Sequence, residues 1–144
     1  MEIKNIFLIG LNGRGNYNDY YIRKKMDKFN SFYEWHDSLV LFVAFDRHPE
    51  RNQDSVCFGI EWYSGKKEKL CFDNVYYIDF TSHFIHGSDS ILNAKCELLC
   101  DSEYWSIIPD YYELNSLIHY CLETNSTGGK YHVIAKGYHF EPYD

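Results

Sequence analysis

His36, Asp37 and Ser38 are consecutive, and an imidazole beside a carboxylate and a hydroxyl is the residue set of hydrolytic acid–base chemistry. Such a nucleophile has to be held up by a sharp strand-to-helix turn, whereas Ser38 is merely next in the chain, so hydrogen bonding at a strand start is the stronger reading. Cys96, Cys100, His119 and Cys121 supply soft ligands of the kind zinc takes. Their second pair is His-x-Cys, not a pair spaced as structural zinc sites require, so buried thiols are expected and no metal. His83 and His86 lack a third ligand. Gly10, Gly13 and Gly15 fit neither the G-x-G-x-x-G dinucleotide fingerprint nor a phosphate loop ending in Gly-Lys-Ser/Thr, and read as a turn. Arg23, Lys24, Lys25 and Lys28 are interrupted by Asp27, which makes them a solvated helix face; a nucleic-acid-binding module using them is an alternative function. A small hydrolase using His36 and Asp37 is another.

The elements that must position these groups are mostly strands. Ile3 to Ile9 is a short β-branched run closed by glycines. A helix is expected over 18–30, with Asn18 as its cap, Asp19 in the first turn, and Ile22, Met26, Phe29 and Tyr33 at helical spacing. The run Ser38 to Phe45 reads as a central strand. Val56 to Tyr63 and Lys69 to Phe80 read as a hairpin about Ser64 to Lys67, with a bulge near Asp73 and Asn74. Thr81 to Ser90 is polar and reads as a loop. Ile91 to Leu99 suits strand or helix equally. Leu114, Leu117, Ile118, Cys121 and Leu122 fit a helical stripe, yet the Asn125 to Gly129 turn before Tyr131 to Phe140 favours a closing β-hairpin. The fold expected is mainly β (α+β), an antiparallel β-sandwich or strongly bent sheet of six to eight strands with the helix packed on it, forming a single domain over 1–144. Its core candidates are Ile6, Leu8, Leu39, Leu41, Val43, Phe45, Phe58, Ile60, Phe72, Val75, Leu98, Ile118, Val133 and Ile134.

With 144 residues, 45% apolar, 14 Tyr, 10 Phe, 3 Trp and only 3 Pro, the chain can enclose one core, and disordered or collagen-like classes are excluded. Runs without a charged residue reach nine, as in Asn5 to Gly13, against the roughly 20 a membrane-spanning helix needs. The N-terminus shows neither a basic start nor a small-residue cleavage site. Five cysteines, an odd number among apolar neighbours, are expected to be reduced thiols of a cytoplasmic protein.

Charge is segregated. Residues 1–50 are balanced, and 51–144 carry the whole formal charge of -7, which disfavours a phosphate-binding role. From Leu70 to Gly129 the only basic residue is Lys95, against nine acids. Within them lies a segment with five acids and no Lys or Arg: Glu97, Asp101, Glu103, Tyr104, Trp105, Asp110, Tyr111, Tyr112 and Glu113. Acids that steer a cationic partner, beside aromatics that fill its pockets, make this the candidate partner-binding surface.

The stretch Phe32-Tyr33-Glu34-Trp35-His36-Asp37-Ser38 resembles the "FHDS" strand start of small β-sandwich immunity proteins of bacterial polymorphic toxin systems, with Trp35 standing where that family has Phe. Leu70-Cys71-Phe72-Asp73-Asn74-Val75 resembles their "I-x-F-x-n-V" strand, and Tyr131 to Phe140 their final hairpin strand. The resemblance covers about two thirds of the chain. It implies a cytoplasmic antidote of the contact-dependent growth inhibition kind, binding one cognate toxin domain, often a basic nuclease. No catalysis, cofactor, nucleic acid or membrane partner is implied.

Overall fold

The computed structural model describes residues 13–48, 53–82, 89–109, 116–125 and 128–144. Ile3 to Ile9, Gly10, His83, His86 and Asp110 to Leu114 therefore lie outside the described residues. The chain divides into two compact units, residues 1–33 and 34–144.

In the first unit, helix α1 spans Gly13–Ser31. It begins five residues before Asn18, so Asn18 is not its cap and Gly13, Gly15 and Asn16 are helical, not a turn. A glycine inside a helix costs only about 1 kcal/mol relative to alanine, which the following turns outweigh. Asp19 consequently misses the first turn and instead pairs with Arg23 one turn on, at 3.1 Å. Ile22, Met26 and Phe29 are its less exposed positions, at the spacing expected.

The second unit is a closed antiparallel barrel of six strands: β1 (Leu39–Asp46), β2 (Ser55–Glu61), β3 (Lys67–Thr81), β4 (Asp89–Leu98), β5 (Ile118–Thr124) and β6 (Lys130–Pro142). Their order around the barrel is β1-β2-β3-β6-β5-β4. The fold is thus mainly β with one helix, and of the two sheet architectures left open by the sequence, the strongly bent one forms. The 91–99 ambiguity resolves to strand, and 118–142 is the closing hairpin. Between β2 and β3 the turn needs a left-handed residue, and Gly65 supplies it at φ 94° while Trp62 N–H donates to Lys66 O. The bulge expected near Asp73 is present: Asn74 is left-handed (φ 52°) and the β3–β6 register skips between Val75 and Tyr77.

Inside the barrel, alternate residues build an aromatic core. Phe58, Phe72 and Tyr120 are fully or almost fully buried, with ring centroids 5.8 Å (Phe58–Phe72) and 4.8 Å (Phe72–Tyr120) apart. Ile60, Ile118, Val133 and Ile134 are buried as expected, and Leu39, Val43, Val75 and Leu98 half-buried. Leu41 and Phe45 are corrections, at 39% and 56% exposed. β1 lies between β2 and β4, as a central strand does, and among the described residues it meets β4 at Leu39↔Ser90 and Val40↔Asp89. A register shift between Val40 and Phe42 changes the phase of the strand, so an unbroken apolar run does not face the core throughout.

The expectation of five reduced cysteines is overturned for one pair. Cys57 and Cys71 form a disulfide, while Cys96, Cys100 and Cys121 are outside any disulfide. The β2–β3 register sets Cys57 directly opposite Cys71 with Cα atoms 4.1 Å apart, a proximity that a separation of 14 residues does not reveal.

Candidate functional site

Residues 99–109 leave β4 as a succession of tight turns and are pinned at both ends. Leu99 N–H donates to Leu117 O, the 3-10 turn Leu99–Asp101 follows, and i+3 backbone bonds continue through Trp105 and Ile107. Leu99 and Ile108 are buried with Leu117 and Ile134 in a cluster that Tyr77 and Tyr104 flank. Burying such side chains is worth roughly 1.5–3 kcal/mol each, enough to fix a short segment.

A polar chain supports its middle. Tyr104 N–H donates to Ser102 Oγ at 3.0 Å, and Ser102 Oγ lies 2.7 Å from His119 Nδ1. On its other side His119 Nε2 lies 2.9 Å from His132 Nδ1, so one hydrogen bond runs from Ser102 to His119 and a second from His119 to His132, with the His119 tautomer setting the direction of each. Burial, then the neighbouring His132, pushes His119 down to about 4, and burial lowers His132 as well, so both rings are neutral near pH 7. The Tyr104 ring packs against both in tilted contact, with centroids 4.7 and 5.0 Å away, and its hydroxyl donates to Asp79 at 2.9 Å. Burial and the Asp79 carboxylate raise the Tyr104 pKa far above its ordinary value. Ser102 and His119 are 3% and 6% exposed, which suits them to holding the segment in place.

What the segment presents outward is Trp105, 54% exposed, and Ile107, 46% exposed. Glu97, Asp101 and Glu103, on the same stretch of chain, are exposed as well. Five of the sequence-derived binding residues, Glu97, Asp101, Glu103, Tyr104 and Trp105, thus lie on one short stretch, with Tyr104 turned inward as a support. Asp110, Tyr111, Tyr112 and Glu113 lie outside the described residues.

The other candidates are dispersed. His36 and Asp37 form an exposed pair at 3.2 Å on a turn, and Ser38 Oγ, fully buried, donates to Glu34 O at 3.0 Å, which is the strand-start role expected. Cys96 stands opposite Tyr120, while His119 and Cys121 occupy alternate positions on β5; among the described residues these groups form no metal-holding cluster. Burial lifts the Cys121 thiol to about 11. Arg23, Lys24, Lys25 and Lys28 are exposed along α1.

One arrangement had no signal in the sequence. His139 lies between two carboxylates, its Nδ1 2.8 Å from Asp73 and its Nε2 2.6 Å from Glu141. Burial alone would lower its pKa, but the two acids outweigh this and raise it; the same hydrogen bond holds Glu141 below the usual carboxylate range. Asp73 and His139 are 66 residues apart, so only the β3–β6 register brings them together. No protein-family model and no curated protein matches the chain.

Proposed function

We propose that this protein is a cytoplasmic immunity protein, a non-catalytic antitoxin of the contact-dependent growth inhibition kind. It neutralises a cognate toxin domain, such as a basic nuclease, through the surface of Glu97, Asp101, Glu103 and Trp105. The acids and aromatics of Asp110, Tyr111, Tyr112 and Glu113 extend that surface in sequence. The single observation that carries the reading is Trp105: half its side chain meets solvent although the residues beside it, Tyr104 and Ile108, are anchored to the barrel. An aromatic already held in place loses little freedom on binding, and an acidic rim selects a basic cleft. No helix among the described residues is long and apolar enough to cross a membrane.

The test uses an inactivated toxin domain encoded by the neighbouring reading frame. A one-to-one complex and protection of cells expressing the active domain are expected. Absence of a complex overturns the reading. A folded Asp101→Lys/Glu103→Lys variant that still binds and protects like wild type removes this segment as the interface.

A further inference from the structure

Three neighbouring strands place a second set of reactive groups in one row. Cys57 on β2 faces Cys71 on β3, and Cys71 faces His139 on β6. Asp73 and Glu141 sit two positions along from Cys71 and His139, and alternate residues of a strand share a face. Cys71 Sγ, a ring nitrogen of His139 and a Glu141 carboxylate oxygen lie within 4.8 Å of one another. Cys57 Sγ is bonded to Cys71 Sγ and so starts beside the same point. A cavity of ≈ 700 Å³ opens over the row, with Cys57, Cys71, Asp73, His139 and Glu141 on its wall, which gives an ion a path in.

We propose that the reduced protein binds one thiophilic divalent cation, of which zinc is the representative, through Cys57, Cys71, His139 and Glu141, and that the Cys57–Cys71 disulfide is the closed state of this site. Zinc takes four such ligands in a tetrahedron at about 2.0–2.3 Å each, so its donor atoms stand about 3.3–3.8 Å apart. Cys71 Sγ, His139 and Glu141, within 4.8 Å of one another, draw closer to reach that, and the two sulfurs, bonded in the disulfide, move apart once reduced. Asp73 supplies the outer shell: it accepts the Nδ1 proton of His139 at 2.8 Å and so leaves Nε2 for the metal. Opening the site takes two electrons and two protons from a thiol reductant. The Cys57–Cys71 bond breaks, the reductant becomes its own disulfide, and zinc then releases the two thiol protons to solvent. The site is therefore available in a reducing compartment and shut in an oxidising one.

The full chain is reduced with a phosphine, freed of metal, and titrated with zinc or with cobalt as the spectroscopic probe. Reduced wild type is expected to take one ion per chain, with the visible bands of tetrahedral cobalt and a thiolate-to-cobalt charge-transfer band, whereas the disulfide form takes none. Asp73→Asn should weaken zinc about 10–100-fold while the cobalt spectrum keeps its tetrahedral form. Cys57→Ser, which cannot form the disulfide, should bind zinc without reductant but more weakly than reduced wild type. Should reduction unfold the chain, added zinc must restore its far-UV circular dichroism. The proposal is overturned if reduced wild type takes up no ion, if the disulfide form binds equally, if zinc fails to refold a reduced chain that has unfolded, or if Cys71→Ser/His139→Asn binds as wild type does.

Discussion

Trp105 and His119 act from opposite sides of the same backbone segment, and their substitutions separate binding from support. Trp105→Ala removes an exposed ring, so the melting temperature should stay near wild type while binding to the toxin domain weakens by about 2 kcal/mol or more, read by calorimetry. Unchanged affinity would show that the ring is not an anchor. His119 carries a pH dependence whose sign follows from its pKa. The folded ring titrates near 4 and the unfolded one near 6.5, so between those values the unfolded chain holds more protons. Stability present above about pH 6.5 is therefore lost as pH falls toward 4, and regained as it rises. In His119→Asn, thermal melts over this range should show a flatter decline, since the carboxylates common to both proteins cancel. An equally steep decline would mean that the ring is not the titrating group.

At the scale of elements, the barrel distinguishes strands that look alike as strings of letters. Phe58 on β2 is fully buried and Phe45 on β1 is 56% exposed. Phe58→Ala should cost about 3–5 kcal/mol in denaturant unfolding, whereas Phe45→Ala should stay within about 1 kcal/mol, because only the first leaves a cavity. Similar losses at both sites would restore β1 to the core. β1, β2, β3 and β6 were legible, since β-branched and aromatic runs between Gly, Asn and Asp clusters mark them well, and the bulge at Asn74 showed as a phase change; β4 was not, because the short run Ile91 to Leu99 suits strand or helix equally. The helix start was not, because Asn18 offers a local capping signal that the helical turns from Gly13 onward override.

For the whole molecule, the segregated charge sets the kinetics of encounter. The formal charge of -7 falls entirely on residues 51–144, so association with a basic partner should slow as salt is raised while dissociation changes little. Stopped-flow traces over a salt series check this, and a salt-independent on-rate would exclude electrostatic steering by this part of the chain. Asp101→Lys/Glu103→Lys should reduce the salt slope as well as the rate.

Composition and period alone carried the fold class, the runs of β1, β2, β3 and β6, the hairpin turns and the acidic, aromatic bias of the 97–113 stretch, because each is a local property; that 91–99 is strand and not helix was decided by the pairing of β4 with β5. Which residues touch across strands depends on register and closure, and these belong to the folded chain alone. Asp73 meets His139, and His119 meets His132, only because β3, β6 and β5 are neighbours in that order. Cys57 and Cys71 were counted as scattered thiols for the same reason: one residue of register decides whether two sulfurs point at each other or to opposite faces. Tyr104, placed by its neighbours in sequence among the outward anchors, is turned inward by two histidine rings that arrive from elsewhere in the chain.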